Sequence, residues 1–350
     1  MNKFKEKLRG FAKPFIAIII AFIICWLILV ISGYDAPKAF GALWNSGFKN
    51  IKSFGTVLNK TSPILFTGIA VAFAFRGNVF NIGAEGQLLL GAAAATWVGT
   101  TFTSLPSYLL IPLILLSGAI AGAAFAYIPG YLKAKHGVSE VITTIMFNYI
   151  ALQFIGFLVR GPFKDTSQME PQSHPIAASG FLPYIIPGTK LHIGFVLGIV
   201  FAIIISIILF KTYFGYEVRA VGFNPMAAKT GGIAVERTMI TTMLISGALA
   251  GIGGAIELAG TTHYLLEGIS PGYGFTAIAV SILAANNPIG VIFSAFLFGL
   301  LSAGATSMQR AADVSASFVN IFQGVIIIFI SIAAVKSVGH KKLSLKKGGN

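Results

Sequence analysis

The chain has 350 residues, 55% of them hydrophobic and only 10% charged, with a formal net charge of +14 and a mean hydropathy of +0.83. A soluble domain carries roughly a quarter charged residues, so the solvent of this protein is lipid, and its long continuous apolar runs select membrane-spanning helices over a closed barrel. The excess of Lys and Arg reads as membrane topology rather than a nucleic-acid surface, and the single cysteine, Cys25, excludes an internal disulfide and reads as a small buried apolar side chain.

In chain order, the predicted spans cover residues 15–32, 62–75, 79–98, 108–132, 138–159, 193–210, 238–259, 273–285, 288–306 and 318–335. The class is all-α: a polytopic membrane helix bundle of about ten transmembrane helices, N- and C-termini cytoplasmic. A basic cytoplasmic tail, 1–14, precedes a single transmembrane domain over 15–335, and a second basic tail, 336–350, follows it. The first apolar run lacks a small-residue cleavage site and reads as a retained span, not a signal peptide. This topology places 17 of the 25 Lys and Arg on the inner side, as the positive-inside rule demands. An even number of crossings also keeps both basic tails together. The second and eighth spans are short, and the eighth is a candidate half-helix facing protein.

External loops fall at 34–60 and 160–192. In the first, Phe40, Leu43, Trp44 and Phe48 can form the apolar face of a surface helix; in the second, five prolines stiffen the chain.

The stretch from Asn78 to Ala92 places Asn81, Glu85 and Gln87, with Gly83 and Gly86, at the start of the third span. An ionised carboxylate in hydrocarbon is costly, and irregular backbone at that depth must face protein or a cavity. Two roles stay open: the three polar side chains line a translocation path, or they tie the span start to neighbouring helices, with Glu85 reaching Arg76. On the fifth span, Glu140 and Asn148 lie eight residues apart, near one helical face, with the same two roles open. Glu257 ends the seventh span near His263 and Glu267, where it reads as a satisfied surface pair, with a role at the outer mouth left open. Asn286-Asn287-Pro288 reads as a turn. The small-residue stripes Gly118–Gly122 and Gly247–Gly251, set in the similar stretches SGAIAGAAFA and SGALAGIGGA, read as close helix packing.

The inner loop, 211–237, is the most informative. Asn224 suits an N-cap and Pro225 the first helical position. Residues 226–230 favour helix, and Gly231 with Gly232 permits a left-handed stop. A helix of one or two turns is unstable alone. It either docks Met226, Ala227 and Ala228 into a groove on another protein, or lies on its own bundle.

The pattern Arg219-Ala220-x-Gly222-x-Asn224-x-x-Ala227-Ala228, followed by Gly231, Gly232 and Ile233, resembles the cytoplasmic coupling loop of ABC importer permeases, in the group serving branched-chain amino acids, simple sugars and nucleosides. The stretch from Asn78 to Gln87 is similar to the nucleoside, basic-membrane-protein-type branch, and lacks the Ile-Asp-Leu-Ser type sequence of sugar members. Residues 274–290 are also similar to the family. The resemblance implies a permease subunit of the bacterial plasma membrane, for nucleosides with purine nucleosides favoured. It implies coupling to a separate ATPase through Arg219, Gly222, Asn224, Pro225, Met226, Ala227, Ala228 and Gly231. A second permease subunit and an extracellular substrate-binding lipoprotein would complete the importer. No cofactor or metal is expected on this chain. ATP and Mg belong to the partner ATPase, since no G-x-x-x-x-G-K-[ST] phosphate loop occurs here. The alternatives are a sugar or branched-chain amino acid ABC permease, or a stand-alone ion-coupled secondary transporter using Glu85, Glu140 and Glu257. An intramembrane enzyme has little support, because the five histidines form no helical pair and no catalytic triad pattern.

Overall fold

A computed structural model of the chain describes residues 19–315, together with residues 318, 321, 322, 324, 325, 328 and 329. Both basic tails, the start of the first expected span and most of the last lie outside the described residues. The described structure is helical, with only isolated β-bridges in the loops. It divides into two compact units, Leu58–Gly299 and the described residues outside that range, 19–57 and from 300 on.

In the second of these, α1 (Ile19–Ile31) precedes α2 (Ala36–Phe48). Asp35 caps α2 by accepting from the Lys38 N–H at 2.9 Å. Leu43 is buried and Phe40 packs on Trp26, with ring centroids 5.1 Å apart. Trp44 and Phe48 stay exposed. The apolar face expected of this helix is therefore divided between protein and surroundings.

The larger unit holds most of α3 (Ile51–Arg76), then α4 (Ala84–Thr101), α5 (Ser107–His136), α6 (Glu140–Arg160), α7 (Gly194–Lys211), α8 (Tyr213–Phe223), α9 (Pro225–Thr230), α10 (Val235–Glu257), α11 (Tyr273–Leu283) and the start of α12 (Pro288–Ala312). A π-helical turn, Leu258–Thr262, extends α10. Six helices among the described residues are long and apolar enough to cross a membrane: α3, α5, α6, α7, α10 with its π turn, and α12. The eleven residues of α11 rise about 17 Å, roughly half the hydrocarbon thickness.

One sequence expectation is corrected. The second span is not short, because α3 runs 26 residues and absorbs much of the expected 34–60 loop. Polar residues do not break it, since their hydroxyls return to the helix: Thr56 to Lys52 O (3.0 Å), Ser62 to Leu58 O (3.0 Å), Thr67 to Pro63 O (2.8 Å). The 211–237 loop holds a further helix before Asn224. Thr212 accepts from the Gly215 N–H at 3.1 Å and starts α8, which buries Gly215, Val218 and Val221.

The core forms where α5 and α10 run antiparallel against α4. Gly118 faces Ala255, Gly122 faces Gly247 and Gly251, and Gly130 faces Met243. A Cβ on Gly122 would lie 2.9 Å from the Gly251 Cα, so these backbones touch without side chains between them. The two similar stretches, SGAIAGAAFA and SGALAGIGGA, are thus the two sides of one helix crossing. The loop 161–193 folds back over one end of this core. It donates from Ala177 N to Gly99 O (3.0 Å), from Ile176 N to His263 O (2.9 Å) and from Leu182 N to Ala259 O (3.0 Å).

Candidate functional site

Between α3 and α4 the chain breaks. Asn78 takes a left-handed conformation, φ 58°, which Asn tolerates better than most residues, and no helix resumes until Ala84. The buried amides freed by the break need partners, and the polar residues singled out in the sequence supply them. Asn81 and Gln87 exchange two amide bonds, Asn81 Nδ2 to Gln87 Oε1 (2.8 Å) and Gln87 Nε2 to Asn81 Oδ1 (3.0 Å). Asn81 Oδ1 also accepts from the Gly83 N–H (3.0 Å), and Asn81 Nδ2 also donates to Ser246 Oγ (2.8 Å), which in turn donates to Ala70 O (2.7 Å). A primary amide has two donors and two acceptor lone pairs, and all four sites of Asn81 are filled.

Asn148 on α6 holds the same segment. It accepts from the Gly86 N–H (2.8 Å) and donates to Ile82 O (2.9 Å). Glu140, the first residue of α6, accepts from the Phe80 N–H (3.4 Å) and pairs with Lys133 at 2.8 Å. The common face of Glu140 and Asn148 is therefore turned to the break.

Glu85 does not reach Arg76. Its Oε2 accepts from the Gly274 N–H at 2.7 Å, in the first turn of α11, while Glu85 itself lies in the first turn of α4. One carboxylate thus faces two positive helix ends. Gly274 permits this approach, since a Cβ there would come within 2.5 Å of the Glu85 Cα. Arg76 turns the other way, donating from Nε to Asn286 O (2.8 Å) and from Nη2 to Ala285 O (3.0 Å). Those carbonyls belong to the turn after α11, where Ala285 and Asn286 both have positive φ.

At the other end of α11, Glu257 is 2% exposed and lies 3.8 Å from Lys60 Nζ. Lys60 also donates to the Tyr273 hydroxyl at 3.1 Å. The pair expected for Glu257 is thus made with Lys60, and it is buried rather than at the surface; Glu267 pairs with Arg160 at 2.9 Å. His192, fully buried in the loop before α7, accepts at Nδ1 from the Gly194 N–H (3.1 Å). Burial, with a smaller push from His263, lowers its pKa to about 4.

In the 211–237 loop, Asn224 Oδ1 accepts from the Met226 N–H (3.0 Å) and the Ala227 N–H (3.2 Å), and Pro225 opens α9. The stop uses Gly232, φ 84°, rather than Gly231. Gly231 N bonds Ala227 O and Ile233 N bonds Ala228 O, each at 3.0 Å, closing both ends of the helix. Met226 is 75% exposed, and Ala227 is exposed beside it. Ala228 is not part of the exposed knob: it is buried, because the 3.6-residue period turns it toward the bundle. Arg219 and Gly222 also face inward. Arg219 donates to Leu209 O at the end of α7 and lies over the Phe210 ring, as does Arg76. Gly222 rests on the Arg76 carbonyl oxygen, where any Cβ would collide. Phe223, 88% exposed beside Asn224, was missed from the sequence; its place just before an N-cap Asn-Pro is the signal that marks it as projecting.

The description branched-chain amino acid transport system / permease component matches residues 53–331. The guanosine ABC transporter permease protein NupP of Bacillus subtilis is 40% identical over 348 residues, 99% of each chain. The nucleoside ABC transporter permease protein NupB of Lactococcus lactis is 34% identical, covering 98% of this chain and 99% of its own. The glucose ABC transporter permease protein TsgB13 of Haloferax volcanii is 32% identical over 92% of this chain and 87% of its own. No solved structure matches.

Proposed function

This chain belongs to the family of branched-chain amino acid transport system permease components, and from that we infer a permease subunit of a nucleoside ABC importer. It is a multi-pass protein of the bacterial plasma membrane, a transport component and not an enzyme. The single observation that carries the solute is the end-to-end likeness to guanosine and nucleoside permeases; the guanosine relative favours purine nucleosides.

The finer reading keeps ten crossings with both tails cytoplasmic. In its support, Lys133, Lys135, Arg219 and Lys229 gather at the end of the bundle that carries α9. A separate ATPase, holding ATP and Mg, receives α9 with Phe223 and Met226. A second permease subunit and an extracellular binding lipoprotein complete the importer. Closure of the ATPase moves α9 as a capped, rigid knob. Arg219 and Gly222 pass that movement inward, the first to the end of α7 and the second to Arg76. Arg76 grips the turn after α11, and the opposite end of α11 is held by Glu85 at Gly274 and by Lys60 at Tyr273. This half-helix is thus strung between the inner loop and the outer polar cluster, where a gate has to act. Asn81 acts as a brace for the break rather than a solute ligand, because all four of its hydrogen-bonding sites are occupied, and Gln87 and Asn148 brace the same segment through their bonds to Asn81, Gly86 and Ile82.

The test is purification from native membranes in mild detergent followed by reconstitution. An ATP-hydrolysing subunit should co-purify, and guanosine uptake should require ATP and the binding protein. Uptake by the isolated chain on an ion gradient alone would replace this reading with a secondary transporter. The glucose relative supplies the second reading, and glucose that abolishes guanosine uptake by competition would favour it.

A further inference from the structure

A cavity of about 690 Å³ opens beside the last turns of α6, between that helix, α4 and the loop leading to α11. Its volume lies inside the range of small-molecule pockets, roughly 300–1,000 Å³. The walls are of two kinds. Leu89, Leu152 and Phe157 give an apolar side, and Phe157 leaves an aromatic ring 62% exposed. Gln153, Arg160 and Glu267 give a polar side.

The polar side has a defined geometry. Glu267 Oε2 accepts from Arg160 Nη2 at 2.9 Å. The other oxygen, Oε1, lies over the bare Cα of Gly156, where an added Cβ would come within 2.6 Å of it. The carboxylate is therefore held by one edge and laid along an open helix face, and a larger residue at 156 would occupy that space. Arg160 and Glu267 neutralise each other, so the cavity favours an uncharged occupant. A phosphate or an anionic headgroup would meet the Glu267 carboxylate as well as the guanidinium. What remains is a free carboxylate edge suited to vicinal hydroxyls, a primary amide offering donor and acceptor side by side, and an aromatic face for a flat ring.

We propose that this cavity is an outward-facing nucleoside station on the permease itself, with the base against Phe157 and Leu152, its polar edge on Gln153, and the ribose hydroxyls on Glu267. The proposal rests on the nucleoside importer reading given above. The Arg160–Glu267 pair is largely open to solvent, 66% and 41% exposed, and a surface pair of that kind is weakly held. The station accordingly accepts solute from the binding protein and releases it inward, without retaining it.

The test uses the complete reconstituted importer. Cys25 is the only cysteine of this chain, so a Cys25→Ser background carries no native thiol on it. In that background Gln153→Cys places a thiol in the cavity and Phe154→Cys places one on the neighbouring surface as control. A membrane-impermeant thiol reagent is added from outside. Guanosine should slow modification at position 153 several-fold and leave position 154 unchanged. A guanosine analogue lacking both vicinal ribose hydroxyls should protect less, and Glu267→Gln should reduce guanosine protection to the level of that analogue. Equal labelling with and without guanosine, in an importer whose cysteine-free parent takes up guanosine, overturns the station and leaves the importer reading standing. Absence of labelling in the assembled importer means another subunit covers the cavity, and also overturns it. Protection by the binding protein without nucleoside makes the cavity a docking contact, which overturns it as well. Failure of the cysteine-free parent to take up guanosine, with glucose protecting position 153 instead, overturns the nucleoside reading itself.

Discussion

Asn81 and Gln87 face each other across the break before α4 and close an amide pair with bonds of 2.8 and 3.0 Å, both side chains being almost fully buried. A buried polar group that loses its partner costs about 1–3 kcal/mol. Asn81→Ala strips partners from Gln87, from Ser246 and from the Gly83 N–H together, so it should lower thermal stability in detergent more than Gln87→Ala does. Uptake should fall only in proportion to folded protein. Full stability with uptake lost would instead make Asn81 a solute ligand.

Met226→Asp and Ala227→Pro should each reduce uptake to background while the permease still folds, because both residues project from α9 and have little of their own bundle to support. Co-purification of the ATPase should be lost with them. Normal uptake in either variant would sink the coupling role of α9. Asn224→Ala should be milder, since an N-cap contributes about 1 kcal/mol.

Arg76→Lys replaces a planar fork that spans two carbonyls with a single ammonium. The Asn286 and Ala285 carbonyls then share one donor group. The expected result is ATP hydrolysis near the unmodified level with uptake reduced about tenfold, equivalent to roughly 1.4 kcal/mol of lost coupling. Equal losses of both activities would mean that Arg76 only supports the fold.

Gly251→Ala should be strongly destabilising. The added Cβ would overlap the Gly118 carbonyl and lie 3.1 Å from the Gly122 Cα, and overpacking of this sort costs about 1–3 kcal/mol. Gly41→Ala is the matched control. Among the described residues nothing lies within 4 Å of its Cβ, and alanine favours helix over glycine by about 1 kcal/mol. The melting temperatures of the two variants should move in opposite directions.

His192 provides a pH test. Its pKa is about 4 when folded, against an ordinary 6.5, so between those values the unfolded chain binds a proton that the folded chain refuses. The stability His192 contributes is complete above pH 6.5, declines as pH falls through that window, and is gone below about 4. The span amounts to about 3 kcal/mol. In His192→Asn, whose amide oxygen can still accept from Gly194, the acid loss of melting temperature should flatten over the same range. An unchanged slope would assign the acid sensitivity to other groups.

Much of this protein is legible in its sequence because lipid leaves few alternatives. Backbone polar groups must be satisfied within each segment, so apolar runs announce helices, and the glycine stripes of α5 and α10 announce their close crossing. The caps of α9 are equally local: Asn224, Pro225 and the Gly231-Gly232 pair act within a few residues of themselves. Even the shared face of Glu140 and Asn148 follows from helical period alone.

Side-chain partners were less legible, since they are set by approach between elements far apart in the chain. Arg76 and Glu85 are nine residues apart in sequence, yet Arg76 reaches Asn286 and Glu85 reaches Gly274. Ser246 closes the Asn81 network from α10, and no local pattern marks it. Arg219 and Gly222 belong to a motif that reads as one outward surface, but packing on Leu209 and Arg76 turns them inward. By itself, the sequence determined the class of the protein, the helices and the capped knob, because those depend on local hydrophobicity and on short-range hydrogen bonds. Only the tertiary structure decided which polar groups are already spent on bracing and which, like Phe223, Met226 and the free edge of Glu267, remain open to another molecule. That choice depends on which backbone amide or carbonyl each buried group meets when the helices pack.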